Sequence, residues 1–411
     1  MERLLHYTWR HKLLPLGELR TTDGRLVEVI DPGLYNCGDA GPDFFNAKVK
    51  IDGMIWAGSV ELHMKASDWY RHRHDSDAAY DGVILHVVEQ ADMEVKTSQG
   101  KSVVTLELPI AGQLRNDYAQ LLHEDRYPPC YKVIPGLPVL KVRSWITALQ
   151  MERLQEKTEA MSARVDRNGG SWEDGYFVTI ARNFGFGVNG EAFEAWADQM
   201  DMKATAHHRD NLFQIEAMFI GVAGLLDKVD ERYAGEFAFL QKKFGLVPMD
   251  ATRWRYLRTR PQNFPHVRIM QLARMYHERR TGLAQLLDCK TTKEVAALYD
   301  IKGAKLDLFV INTVVPTIFA YGRRHAREKL CDRAFEFLET LKAEENSIVN
   351  MWRECGMDVA TAGDSQALIQ LKRKYCDVKN CLRCRFGYEF LTGEYRNRFL
   401  SEDGQLDEFP K

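Results

Sequence analysis

Over roughly the first hundred residues apolar positions alternate with polar ones, and after about residue 140 they recur every three to four. The chain opens on a short amphipathic helix in which Leu4, Leu5, Tyr7 and Trp9 form the apolar side. A strand is expected at Val27-Glu28-Val29-Ile30, and two alternating runs, 44–51 and 54–64, flank the pair Asp52-Gly53. Two such runs about an Asp-Gly pair predict a hairpin, because a tight turn needs residues that tolerate positive φ. Further strands are expected at 82–88, 93–97 and 102–108. Prolines at 128, 129, 135 and 138 predict a linker, since proline continues neither a helix nor a central strand. Helical spacing begins with Trp145, Leu149 and Leu154, continues through Phe213, Met218 and Leu225, and returns at Phe309, Ile311, Val314 and Ile318. The expected fold is therefore α+β: a mixed sheet with flanking helices in residues 1–110, a linker at 111–140, a helical domain at 141–344, and a cysteine-containing helical segment at 345–411 whose polar tail frays.

A length of 411 residues fits two or three domains, and 45% hydrophobic with 28% charged residues is ordinary for a globular protein. The net charge of -2 gives no whole-molecule attraction to nucleic acid, so any cationic surface must be local. Residues 253–280 provide one: eight arginines against the single acid Glu278, interleaved with Trp254, Tyr256 and Phe264. Arginine forks bind phosphates and aromatic rings stack on unpaired bases, which makes Arg258, Arg260 and Arg268, with Lys374 further on, candidate nucleic-acid contacts. The alternative is a solvated or internally paired face. The N-terminal MERLLHYTWRHKLL interrupts any signal-peptide core, and no apolar stretch of about 18 residues is expected, which points to a cytoplasmic chain without a membrane partner.

The densest chemistry lies between Gly41 and His86. Pro42-Asp43 is followed after seventeen residues by Glu61-Leu62-His63. Two carboxylates on neighbouring strands can share a Mg²⁺, which favours hard oxygen ligands and activates bound water. His63, two positions beyond Glu61, lies on the same strand face and would be the basic partner. Register raises a requirement. A two-residue turn at Asp52-Gly53 pairs Asp43 with Leu62 and puts the carboxylates on opposite faces, whereas a bulge or a three-residue loop would bring Asp43 opposite His63 and onto the face of Glu61. An irregularity is therefore expected here. Asp68, His72 and His74 follow closely and are read as supporting groups, or alternatively His72-x-His74 as a zinc pair, although Ser76 breaks the H-x-H-x-D-H pattern. Glu94-Val95-Lys96 also fits E-x-K but is read as an exposed hairpin end.

Cys376-x4-Cys381-x2-Cys384 has the spacing of the first three ligands of a plant-type ferredoxin cluster, and Cys381 with Cys384 would also suit zinc. Cys130 is the first candidate for a fourth ligand and Cys355 the second; the alternative is that all are buried core thiols.

Pro42-Asp43 with Glu61-x-His63 resembles the PD-(D/E)XK nuclease signature, with histidine where that group usually has lysine. The resemblance implies a nuclease-like sheet in residues 1–110, Mg²⁺ and a nucleic-acid substrate; a neutral imidazole in the lysine position implies altered or absent activity. Some nucleases of that group fasten their ends with an iron–sulfur cluster built from one upstream cysteine and three near the C-terminus, a layout similar to this one. GPDF, VELH, SDW, the H-x-H pair and LHVV, then RPQNFP, INTVVPTIFAYG, SQALIQLKRKYC and CLRC, resemble across nearly the whole chain the signatures of a bacterial family known as a domain of unknown function. The expected function is a metal-dependent nuclease acting on phosphodiesters. The alternatives are a non-catalytic nucleic-acid-binding or scaffold protein, and a zinc-dependent hydrolase.

Overall fold

The expected hairpin forms about its Asp-Gly turn. A computed structural model describes residues 1–399 except Leu16, Asp39, Phe186 and Gly187, with side chains through Gly393; the polar tail lies outside the described residues. In it β4 (Phe44–Ile51) and β5 (Met54–Lys65) pair antiparallel from Ile51 opposite Met54, with Asp52 and Gly53 both at positive φ. On one side β4 pairs with β2 (Leu26–Asp31) and with the short β3 (Leu34–Tyr35), and β2 pairs with β1 (Leu19–Arg20), all antiparallel. On the other side β5 runs parallel to β6 (Val83–Gln90), which runs parallel to β7 (Thr105–Glu107). A bridge between Thr21 and Leu106 links the two ends, so the sheet curls on itself. The parallel crossover from β5 to β6 carries the short helix α2 (Asp68–Arg71) and two 3₁₀ turns.

The amphipathic start is α1 (Glu2–Arg10), which buries Leu4, Leu5, Tyr7 and Trp9 against β5. The Trp9 indole donates to Pro32 O at 3.0 Å, fixing the helix beside the first strands. Two sequence expectations give way here. Residues 93–97 form no strand, only a bridge from Lys96 to Ser102, and 102–108 shortens to β7. The stretch 111–140 is not a bare linker: α3 (Gly112–His123) buries Leu114 and Leu121.

The chain divides into two units at Leu137/Pro138 and Leu371/Lys372 rather than at the expected boundaries. The first unit contains the sheet, α1 to α3 and the segment from Lys372 onward with Cys376, Cys381 and Cys384; the second is residues Pro138–Leu371. Residues 345–411 therefore do not form a segment of their own.

The second unit is helical, beginning with α4 (Val139–Arg167) and α5 (Trp172–Phe184), and its core gathers Tyr176, Phe177, Trp196, Phe219 and Tyr299. Ala304–Arg324 is, by length and composition, apolar enough to cross a membrane, contrary to the expectation that no such stretch exists; most of it is buried in the protein.

Candidate metal centre

The register problem at Asp43 is solved by a bulge. From Ile51 to Ala47 the pairing follows the two-residue turn, with Ala47 opposite Gly58; by Phe44 it has shifted one place, so that Phe44 faces Val60. Asn46 sits in the shift at φ 55°, a left-handed conformation that asparagine tolerates better than branched residues. Continuing the register puts Asp43 opposite Glu61, not opposite His63 as the expected bulge would have it. The consequence sought from an irregularity still follows, since directly opposed residues share a face. The two carboxylates interlock across the strands. Asp43 N donates to Glu61 Oε2 at 2.9 Å and Leu62 N donates to Asp43 Oδ2 at 3.0 Å.

Glu61 and His63 point to one side of β5 because side chains alternate, and β6 places His86 beside Glu61 on that same side. The crossover then supplies two more imidazoles. His72 ends α2, Arg73 turns the chain at φ 64°, and His74 begins the next 3₁₀ turn, folded back against the sheet. Among the described residues His63, His72 and His74 form a group whose ligating nitrogens all lie within 4.8 Å of one another. His63 Nε2 is 3.1 Å from His72 Nδ1, and Glu61 Oε1 lies 3.2 Å from His74 Nε2 and 3.6 Å from His63 Nε2. Despite that approach of Glu61, buried His74 Nε2 makes no hydrogen bond. His63, His74 and Glu61 are buried and His72 is exposed, so the cluster opens to solvent on the His72 side.

The surroundings hold His63 neutral. Burial first, and then His86, His74 and His72 around it, push its pKa down to about 2; burial and His74 bring His86 to about 3. The 3.6 Å approach to Glu61 is therefore a contact between a neutral ring and a carboxylate, not an ion pair. The His63 Nδ1 to His86 Nε2 hydrogen bond, at 2.8 Å, can fix the single ring proton on Nδ1 and leave Nε2 as a lone pair facing His72 and Glu61. His74 stacks on Tyr80 with ring centroids 3.7 Å apart, and Trp69 packs edge-on against His74. Asp43 is raised to about 7 by burial and by the Glu61 charge, against the Leu62 N–H that favours its ionised form. His6 Nε2 lies 3.4 Å from Asp43 Oδ2, and burial lowers His6 to about 4.

His6 also lines a cavity of about 530 Å³ whose wall presents Arg3, Arg10, Lys379 and Arg383 without an acidic side chain. Tyr7, Tyr35 and Tyr118 complete its aromatic surface.

Asp68 does not join the cluster through any hydrogen bond. Its carboxylate accepts from Lys65 N at 3.2 Å and pairs with Arg71 at 3.1 Å, which anchors α2. Glu94 and Lys96 are exposed. In the helical unit Arg258 and Arg260 are exposed, but Arg268 is only 6% accessible and donates to Asn263 and Gln271, so its guanidinium serves the local fold rather than a phosphate. Trp254 is buried too, its indole donating to Ala223 O, which removes it as a stacking platform. Lys374 is exposed in the sheet unit. Cys130, Cys376, Cys381 and Cys384 are buried thiols of the sheet unit, whereas Cys355 lies in the helical unit. Sequence reasoning counted His86 among the clustered histidines but gave it no role, and passed over His6. Register would have found His86, directly beside Glu61; nothing in the local pattern of α1 marks His6.

A family model described as Protein of unknown function (DUF2851) matches residues 2–306 and 300–347. The chain belongs to that family. Curated proteins and solved structures gave no match, so the nuclease likeness gains no support from them.

Proposed function

We propose that this DUF2851 protein is a metal-dependent phosphodiester hydrolase whose divalent ion is held by His63, His72 and His74, with Glu61 beside His63 and His74. The observation that carries this is the donor spacing. A tetrahedral ion with bonds of about 2.0–2.1 Å to nitrogen requires donor–donor edges of about 3.3 Å; His63 Nε2 and His72 Nδ1 stand 3.1 Å apart, and the ligating nitrogens of all three histidines lie within 4.8 Å of one another. Three imidazoles favour zinc or a similar first-row ion over magnesium, which prefers oxygen. This departs from a Mg²⁺ site on Asp43 and Glu61 with His63 as base: His63 becomes a ligand. Such an ion supplies an activated water and offsets phosphate charge.

The remaining chemistry belongs to the chain. Asp43, interlocked with Glu61 through Asp43 N to Glu61 Oε2 and Leu62 N to Asp43 Oδ2, is the carboxylate placed beside the cluster to take the proton of the attacking water. His86 keeps the His63 tautomer. Arg3, Arg10, Lys379 and Arg383 on the adjoining wall bind the non-reacting phosphate oxygens, which favours an anionic substrate such as a nucleic-acid strand. Arg258 and Arg260 of the helical unit and Lys374 of the sheet unit are exposed, and each is open to a sequence-independent phosphate contact.

Metal analysis of the purified chain, together with cleavage of end-labelled DNA and RNA before and after chelation, tests the proposal. One bound ion per chain is expected at the histidine site. His72→Ala and His74→Ala should lose the ion and at least about 100-fold in cleavage rate, while Asp43→Asn should keep the ion and lose about as much rate. Cleavage that persists in both histidine variants would overturn the reading. Binding of nucleic acid without cleavage by the metal-loaded chain would instead favour a non-catalytic binding protein.

A further inference from the structure

Three cysteines close together in sequence and one far upstream are brought into the sheet unit. Cys130, Cys376, Cys381 and Cys384 are 7%, 7%, 8% and 6% accessible, and all are free thiols. Two stretches of chain are shaped to bring them there. In the first, Tyr131 N bonds Pro128 O and Val133 N bonds Cys130 O, turning the backbone around Cys130. In the second, Lys379 N bonds Cys376 O, Arg383 N bonds Asn380 O and Cys384 N bonds Cys381 O, each at 3.1 Å, so that successive tight turns gather the three C-terminal thiols. Gly387 is required next to them, because a Cβ there would lie 2.2 Å from Cys381 O. The stretches are joined by the Tyr127 hydroxyl, which donates to Asp377 at 2.7 Å.

Each of the three C-terminal thiols is close enough to Cys130 to disfavour its ionisation, which burial already opposes. Four buried cysteines could be core side chains, but ordinary core cysteines do not gather on turns this rich in cationic residues. Here Lys372, Lys374, Lys379, Arg383 and Arg385 occupy the same turns, opposed among them by Asp377. Cations in that position offset the negative charge of thiolates bound to a metal centre.

We infer that Cys130, Cys376, Cys381 and Cys384 ligate an iron–sulfur cluster, a second metal centre independent of the histidine site. Sulfur spacing separates this from zinc. A tetrahedral zinc with Zn–S of about 2.3 Å needs sulfurs about 3.8 Å apart. Among the described residues the thiols do not form a group with three sulfurs mutually within 4.8 Å, as the donor nitrogens of the three histidines do. Thiolates around an iron–sulfur core stand wider, because iron and sulfide atoms fill the space between them. The cluster has a structural consequence as well. Lys379 and Arg383, which line the cationic cavity, lie on the turns that carry the cysteines, so the cluster sets the position of that wall.

The full-length chain purified without oxygen should contain about two to four iron atoms with matching acid-labile sulfide and show broad visible absorption. Cys381→Ser and Cys130→Ser should lose the iron and the absorption, whereas Cys289→Ser and Cys331→Ser should keep both. His72→Ala should also leave both intact, which separates this centre from the hydrolytic one. Stoichiometric zinc that remains in His72→Ala and is lost in Cys381→Ser, or a wild-type chain that takes up no cluster when reconstituted with iron and sulfide, would overturn the inference. The wild-type content decides the matter even if the serine variants fail to fold.

Discussion

His86 is the residue whose role is best separated from mere packing. It is fully buried beside Glu61, holds the Nδ1 side of His63 at 2.8 Å and touches no solvent, so its contribution to the centre is to orient another ring. Outer partners of this kind typically change metal affinity by about 10–100-fold when removed. His86→Phe, which preserves ring volume, should therefore lower zinc affinity by about that factor while the circular dichroism and unfolding midpoint stay close to wild type. A competition titration against a coloured chelator measures it, and unchanged affinity would show that the His63 tautomer is fixed by something else. Asp43, Glu61 and His63 were legible from spacing alone, and His72 with His74 from their pairing. Their roles were not, because the assignment of His63 as ligand or base depends on which neighbours surround its nitrogens. Those neighbours come from β6 and the crossover, beyond the range of local pattern. Arg268 failed as a phosphate contact for a related reason: sequence shows charge but not burial.

The bulge in β4 turns a sequence conflict into a site. The hairpin, its turn and its initial register followed from Asp52-Gly53, but the position and direction of the bulge did not, since Asn46 is an ordinary polar residue in an alternating run. Asn46→Gly should be nearly neutral, and Asn46→Val should cost about 1–2 kcal/mol because a branched residue resists left-handed backbone. If the valine variant escapes by removing the bulge, Asp43 returns to the face opposite Glu61 and the cleavage rate falls while the ion stays bound. Thermal unfolding and cleavage assays of the two variants distinguish strain from loss of register. Helix Ala304–Arg324 has a comparable irregularity. Pro316 cannot donate to the carbonyl of Asn312, and a π-turn at Val310–Val314 precedes it. The Asn183 amide fills the gap, donating to Asn312 O at 2.9 Å and Thr313 Oγ1 at 2.8 Å. Asn183→Leu should destabilise the helical unit by about 1–3 kcal/mol, the penalty for a buried carbonyl left without a donor. A denaturant midpoint equal to wild type would show that water replaces the amide. The missing strand at 93–97 shows the converse: Val95 is buried but Met93 is exposed, and no neighbouring strand completes a ladder there.

Across the whole molecule the net charge of -2 conceals local groupings that respond to pH separately. In the helical unit Glu194 accepts from Arg164 at 3.0 Å, pairs with Arg167 at 2.8 Å and contacts Arg182. Burial alone would raise its pKa, but the hydrogen bond and charge of Arg164, with Arg167 and Arg182, outweigh it and bring the value down to about 2. Its folded pKa is thus below the unfolded value of about 4.3. The native state binds fewer protons in that interval, so the contribution is fully present above about pH 4.3 and is lost as pH falls toward 2. The network should supply on the order of 2–3 kcal/mol at neutral pH. Glu194→Gln keeps the shape but removes the charge and leaves three arginines crowded together, so the variant should be markedly less stable than wild type at pH 7. As pH falls to about 2, where the wild-type carboxyl itself takes up a proton, the difference should shrink toward zero. Urea unfolding at pH 7, 4 and 2.5, followed by tryptophan fluorescence, measures the interval directly. A gap between the two proteins that is the same at all three values would mean that Glu194 acts through packing, and that acid lability of the helical unit originates elsewhere.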